Sequence, residues 1–211
     1  MSRDYDFVTF DCYGTLVDWE GGINAAFSEI AASEKLQFSR NEILAAHAEI
    51  EPLVEAERFR SYREVLIETA QRMAQKFGFE IDVETAAMLP ESLPGWALFS
   101  DTNPALRRLR AAGYSLGILS NVDDDLLHKT MRRLDAGFEL RVTAQQVRSY
   151  KPAAAHFEQA AEAIGDRRWL HVAQSWFHDI VPATQRGLPS IWINRHREPP
   201  GEGGAATRRP R

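Results

Sequence analysis

Five short apolar runs that alternate with stretches of helical periodicity constrain this 211-residue chain more than any other feature. The runs are residues 5–10, 115–119, 139–143, 169–173 and 190–193. Each is β-branched, aromatic or aliphatic, is too short for a buried helix, and is bounded by polar or turn residues. Helical patterns lie between them at 104–112, 123–134, 153–164 and 180–186. Three of these stop at Gly113, Gly165 and Gly187, as a helix C-terminus favours. The other opens on Asp123, Asp124 and Asp125, acids that suit the positive end of a helix macrodipole. Strands separated by helices predict a parallel sheet with helices on both faces.

Residues 22–93 break that alternation. They show helical periodicity and no strand, with helices expected at 23–32, 40–59, 61–77 and 83–93. Ser61, followed three residues later by Glu64, has the form of a capping box. Pro90 and Pro94-Gly95 punctuate the return to the first pattern. The segment reads as an all-helical insertion after the first strand, placed to cover one end of the sheet.

Composition narrows the function classes. Hydrophobic residues make up 44% and charged residues 26%, enough apolar material for a sizeable core. The net charge of -5 argues against nucleic acid or an anionic membrane as partner, since either favours a clustered basic surface. The one basic stretch, Thr207 to Arg211, follows a Gly/Pro-rich run and is expected to be a disordered tail. Cys12 is the single cysteine, so no internal disulfide forms and a reducing compartment fits. The N-terminus lacks the regions of a signal peptide, and no apolar run approaches the roughly 20 residues that span a bilayer. A cytoplasmic protein is expected.

In an open parallel sheet, ligands sit beyond the carboxyl ends of the strands. After the first strand comes Asp11-Cys12-Tyr13-Gly14-Thr15-Leu16. Asp11 there either caps the turn or points its carboxylate into the crevice, where it can attack a substrate and form an ester. After the second comes Ser120-Asn121, a hydroxyl and an amide that either hold an anion at the next helix N-terminus or cap that helix. Ser149-Tyr150-Lys151-Pro152 follows the third, with Pro152 suited to a first helical position. Lys151 is then a solvated surface charge or a fixed partner for Asp11 or an incoming anion. After the fourth come Gln174-Ser175-Trp176-Phe177-His178-Asp179. Asp179 is the stronger candidate there, to orient a water, pair with Lys151 or bind a metal; His178 is the weaker one, as a base.

This order of Asp, Ser-Asn, Lys-Pro and Asp resembles the haloacid dehalogenase superfamily from Asp6 to Arg195, and within it the type II (S)-2-haloacid dehalogenase-like branch. Phe10 to Leu16 resembles the first motif, Ser120-Asn121 the second, Lys151-Pro152 the third and Asp179 the end of the fourth. The resemblance implies an α/β fold, a Rossmann-like parallel sheet with helices on both faces. Residues 1–18 and 97–198 would form the core domain, 19–96 a helical cap and 199–211 a disordered tail. It implies Asp11 as nucleophile, Lys151 and Asp179 as its catalytic partners, and Tyr13, Thr15, Ser120, Asn121 and Ser175 around the substrate. Relatives of this type are often dimers.

Phosphatases of the superfamily carry a second Asp two residues after the nucleophile, to protonate an oxygen leaving group. Tyr13 stands there, and halide needs no proton, so carbon–halogen substitution on a small 2-haloalkanoic acid is favoured, with no cofactor. Gln174 replaces an acid of the phosphatases' magnesium site. If a metal binds, Asp11, the Tyr13 carbonyl and Asp179 would hold it. A magnesium-dependent phosphatase and a non-catalytic binding protein are the alternatives. Three family features are missing: an Arg in a Trp-Arg context early in the cap, where Arg40 does not align; a Tyr where Phe157 stands; and an Asn where Trp176 stands. Arg60 and Arg63, three apart, could share a helix face, though a solvated face is the commoner outcome.

Overall fold

In the computed structural model, which describes residues 4–195, all five expected runs are strands. The order is β1 (Phe7–Phe10), α1 (Trp19–Ser33), α2 (Arg40–Glu57), α3 (Tyr62–Lys76), α4 (Val83–Ser92), α5 (Thr102–Ala111), β2 (Ser115–Ser120), α6 (Asp124–Met131), β3 (Leu140–Thr143), α7 (Ala144–Val147), α8 (Ala155–Ile164), β4 (Trp169–Ala173), α9 (Val181–Gln185) and β5 (Ser190–Trp192). The basic tail lies outside the described residues.

The strands form one parallel sheet in the order β3-β2-β1-β4-β5. β1 is central and buried along its whole length. Its alternating side chains split the core. Val8 and Phe10 join Leu116, Ile118, Leu106 and Leu126 on the face covered by α5 and α6. Phe7 joins Leu119, Phe157, Ile164 and Ala183 on the face covered by α8 and α9. Gly117 permits this packing, since a Cβ there would stand 2.9 Å from the Phe7 ring. Phe157 is therefore core, not a group beside a substrate.

The chain leaves β1 for β2 on one side and returns for β4 on the other, so β1 sits at the topological switch point. Phe10 pairs in register with Ile118 and Val172. Asp11, one residue on, comes level with Leu119 and Ala173.

Helices α1–α4 lie between β1 and β2 and pack on one another, α3 against α2 and α4, and α1 against both of these. The Ser61–Glu64 capping box forms at the start of α3, and Ser39 with Glu42 makes a second at α2. Asp123 stands at the N-terminus of α6, as expected, and has a further role. Its carboxylate does not cap its own helix; it accepts from the Tyr62 and Arg63 backbone N–H groups, both at 2.9 Å. The first turn of α3 is thus capped by a residue of the sheet's far connection.

Two boundaries differ from expectation. Pro152 does not open a helix: residues 151–154 turn first, and α8 begins at Ala155. The segment expected as helix from residue 180 begins as a single π turn, Trp176–Ile180, capped by Ser175.

Candidate active site

Gly14 has φ +98, a turn that needs glycine, and it sends the chain sharply away after Asp11. The Asp11 carboxylate is left at the carboxyl edge of the sheet, 7% exposed. One oxygen accepts from the Thr15 hydroxyl at 2.8 Å and the other from Lys151 Nζ at 2.9 Å. Lys151 is 1% exposed, so the solvated-charge alternative is ruled out. Its ammonium donates three times: to Asp11, to Asp179 Oδ1 at 2.6 Å and to the Leu119 carbonyl at 2.9 Å. All three of its protons have a partner.

Asn121 explains how Lys151 is held. Its side-chain amide donates to the Lys151 carbonyl at 3.1 Å and accepts from the Lys151 backbone N–H at 2.7 Å. Behind Asp179 runs a second buried chain. Trp169 Nε1–H donates to Thr9 Oγ1, which is 2.8 Å from His171 Nδ1. With the Thr9 proton directed there, His171 carries its own on Nε2 and donates to Asp179 Oδ1 at 3.1 Å. His171 escaped the sequence reading, although a histidine inside a buried strand was a signal.

Burial raises the Asp11 pKa above the ordinary aspartate value; the Lys151 charge opposes this and Asp179 adds to it. Burial also works on Asp179, but Lys151 and the His171 hydrogen bond outweigh it and hold that carboxyl well below the usual range. Burial disfavours the Lys151 ammonium, yet Asp11 and Asp179 keep its pKa above the ordinary lysine value. The three groups form one buried charge set.

A cavity of about 770 Å³, counting its open mouth, lies against this set. Asp11, Tyr13, Ser120, Asn121, Lys151, Gln174, Ser175, His178 and Asp179 line its sheet side, and Trp19, Glu51, Pro52, Glu55 and Tyr62 its helical side.

Of the residues expected around a substrate, Ser120 fits best: its hydroxyl is buried and has no partner. Thr15 is a correction. It is 1% exposed, does not line the cavity, and spends its hydroxyl on Asp11 and on the Gln174 backbone N–H. Ser175 reaches the wall, but its hydroxyl is held by the His178 N–H and imidazole. Tyr13 also reaches it, with its phenol turned to Thr130 Oγ1 at 2.8 Å. Burial pushes the His178 pKa below the ordinary histidine value, so a neutral imidazole faces the cavity.

The arginines do not converge on it. Arg40 pairs with Glu20, Arg60 with Glu57, and Arg63 with Asp125. Trp176 packs edge-on against Trp192, and Phe177 is exposed. The helical wall of Trp19, Glu51, Pro52, Glu55 and Tyr62 was not foreseen, although Glu51 and Glu55 stand four apart on an expected helix.

The family model described as haloacid dehalogenase-like hydrolase matches residues 5–173. A curated (S)-2-haloacid dehalogenase from Pseudomonas sp. (strain YL) is 28% identical over 204 residues, 89% of this chain and 82% of that protein. Haloacetate dehalogenase H-2 from Moraxella sp. (strain B) is 25% identical, over 92% of this chain and 88% of that protein. The solved L-2-haloacid dehalogenase from Xanthobacter autotrophicus with chloropropionic acid covalently bound is 19% identical, covers 90% of this chain and 78% of that one, and superposes with a TM-score of 0.76. That last likeness speaks to the fold.

Proposed function

The chain belongs to the haloacid dehalogenase-like hydrolases, and from that premise we propose that it hydrolyses the carbon–halogen bond of a small 2-haloalkanoic acid through an ester on Asp11. The observation that carries this is the Asp11 carboxylate, fixed by Thr15 and Lys151 and facing the cavity, with no acid at Tyr13 to protonate a leaving group.

In the first step an Asp11 oxygen attacks the carbon that bears the halogen. A carbon–oxygen bond forms, and halide leaves with the bonding pair. Lys151 holds the carboxylate in place and keeps it ionised against the cost of burial. In the second step water attacks the Asp11 ester carbonyl. The hydroxy product departs, one proton goes to solvent, and Asp11 returns as carboxylate. Asp179 Oδ2 is buried, has no partner and belongs to the cavity wall, which suits it to hold that water. Asp11, Lys151 and Asp179 are thus the catalytic set.

We read these residues as a poor set for a magnesium ion. Lys151 already bridges the two carboxylates a metal would use, and Thr15 takes the other Asp11 oxygen. Gln174 adds an uncharged amide, whereas magnesium is held by carboxylates and waters in octahedral geometry. We read the reaction as metal-independent. The partner is a small organic molecule; among the described residues no helix is long and apolar enough to cross a membrane. A cytoplasmic location and a homodimer belong to the same reading, and sedimentation tests the latter.

The experiment is a paired turnover assay. Halide release from (S)- and (R)-2-haloacids is followed with EDTA present, and phosphate release from generic esters with and without magnesium. Halide release in EDTA that vanishes in Asp11→Ala is expected. Magnesium-dependent phosphate release, or substantial turnover by Asp11→Ala, would overturn the proposal.

A further inference from the structure

The helical side of the cavity has an unusual charge for a site that admits an anion. Lys151, the one cation among the lining residues, has all three of its protons engaged. Arg40, Arg60 and Arg63 are paired elsewhere. What the helical side presents is Glu51 and Glu55, four apart on α2 and so on one face.

Glu51 is partly satisfied. One oxygen accepts from the Tyr62 hydroxyl at 2.7 Å, and the other stands 3.7 Å from His47 Nδ1. Glu55 has no ion pair or hydrogen bond with any described residue, and burial together with Glu51 pushes its pKa well above the ordinary glutamate value. Trp19 and Tyr62 line the same cavity. The buried Ser120 hydroxyl, on the sheet side of the cavity, also lacks a partner. Two acids and two aromatic residues lining one cavity, whose one cationic lining residue, Lys151, is fully engaged, suit an organic ammonium.

We propose that the cavity selects 2-haloacids carrying a terminal ammonium group, with the halogen-bearing carbon at Asp11 and the ammonium between Glu51, Glu55 and the Trp19 and Tyr62 rings. The reacting end rests on the carbon–halogen reading above; the cation end rests on the helical wall alone. Ser120 Oγ, a donor near Asp11, offers the substrate carboxylate a hydrogen bond. On binding, the Glu55 carboxylate pairs with the ammonium.

The test compares halide release from 6-amino-2-bromohexanoate, 6-hydroxy-2-bromohexanoate and 2-bromohexanoate, in the native chain and in Glu55→Gln. A kcat/KM at least ten-fold higher for the amine is expected. Glu55→Gln should reduce that preference ten-fold or more, chiefly through KM. The substitution keeps the side chain's shape and removes repulsion from Glu51, so its unfolding midpoint should hold or rise. In parallel, calorimetry titrates Asp11→Asn, and Asp11→Asn with Glu55→Gln, with hexylammonium and with hexanoate. Hexylammonium binding that depends on Glu55 supports the cation wall even if no bromide is released, in which case the carbon–halogen reading alone fails. Bromide release with equal rates for the three substrates, or hexanoate binding more tightly than hexylammonium, overturns the cation proposal and leaves the reaction standing.

Discussion

A buried ammonium between two buried carboxylates is tolerable only as a complete set. Asp11 and Asp179 both rely on Lys151, and Lys151 on them. Removing one member leaves uncompensated charge in a medium that solvates it poorly. Lys151→Ala should therefore abolish halide release and also cost about 3–5 kcal/mol in urea-induced unfolding. A variant of near-native stability would mean that the charges are not buried as described. Thr15 makes a finer case. Its hydroxyl donates to Asp11 and accepts from the Gln174 N–H, so it positions the Asp11 carboxylate without lining the cavity. Thr15→Val should lower kcat with little change in KM, and should cost about 1–3 kcal/mol because a backbone N–H loses its partner. A rise in KM at unchanged kcat would return Thr15 to the substrate-binding group.

At the scale of elements, what the sequence revealed and what it hid have one physical explanation. Strand and helix periods are local, so all five strands and the four helices of the insertion could be read from residue patterns. The candidate acids and Lys151 were legible too, because each follows a strand and the sheet's carboxyl edge gathers them. Groups whose role depends on a distant partner were not. Asn121 was expected as an anion ligand or a helix cap and proves to be the clamp of Lys151; Asp123 was expected only as an acid at its own helix N-terminus and also serves α3. Glu51 and Glu55 became relevant only when α2 was laid over the cavity. Asp123 supplies the prediction at this scale. It is 4% exposed and joins the connection after β2 to the first turn of α3, the helix that brings Tyr62 to the wall. Asp123→Ala should cost about 1–2 kcal/mol, the range for a lost helix cap, and should raise KM more than it lowers kcat. Unchanged hydrogen exchange at the Tyr62 and Arg63 amides would refute the link.

For the whole molecule, the test is how stability responds to acid. His156 on α8 is fully buried, with Nε2 3.2 Å from the Ser120 carbonyl and Nδ1 without a partner. Burial first, then the Lys151 charge, depress its pKa from 6.5 to about 4. The unfolded chain accepts a proton as pH falls through 6.5, and the folded chain does not until about 4. Stability from this group is therefore present above 6.5 and lost across that window, by on the order of 3 kcal/mol in full. His178 is shifted in the same direction. Glu55 and Asp11 are raised, so each returns some stability as it takes up a proton on acidification. Asp179, held low, gives up its share only below the ordinary aspartate value. The curve of the native chain is a sum of opposed contributions, and a single profile cannot assign it. The difference between the native chain and His156→Gln can. Glutamine keeps a polar group near Ser120 and does not titrate, so the stability gap between the two proteins should shrink as pH falls from 7 toward 4.5. Urea midpoints at several pH values measure that gap. A gap constant with pH would mean that His156 is not held neutral by the fold, and that the sheet's carboxyl end admits more water than its packing implies.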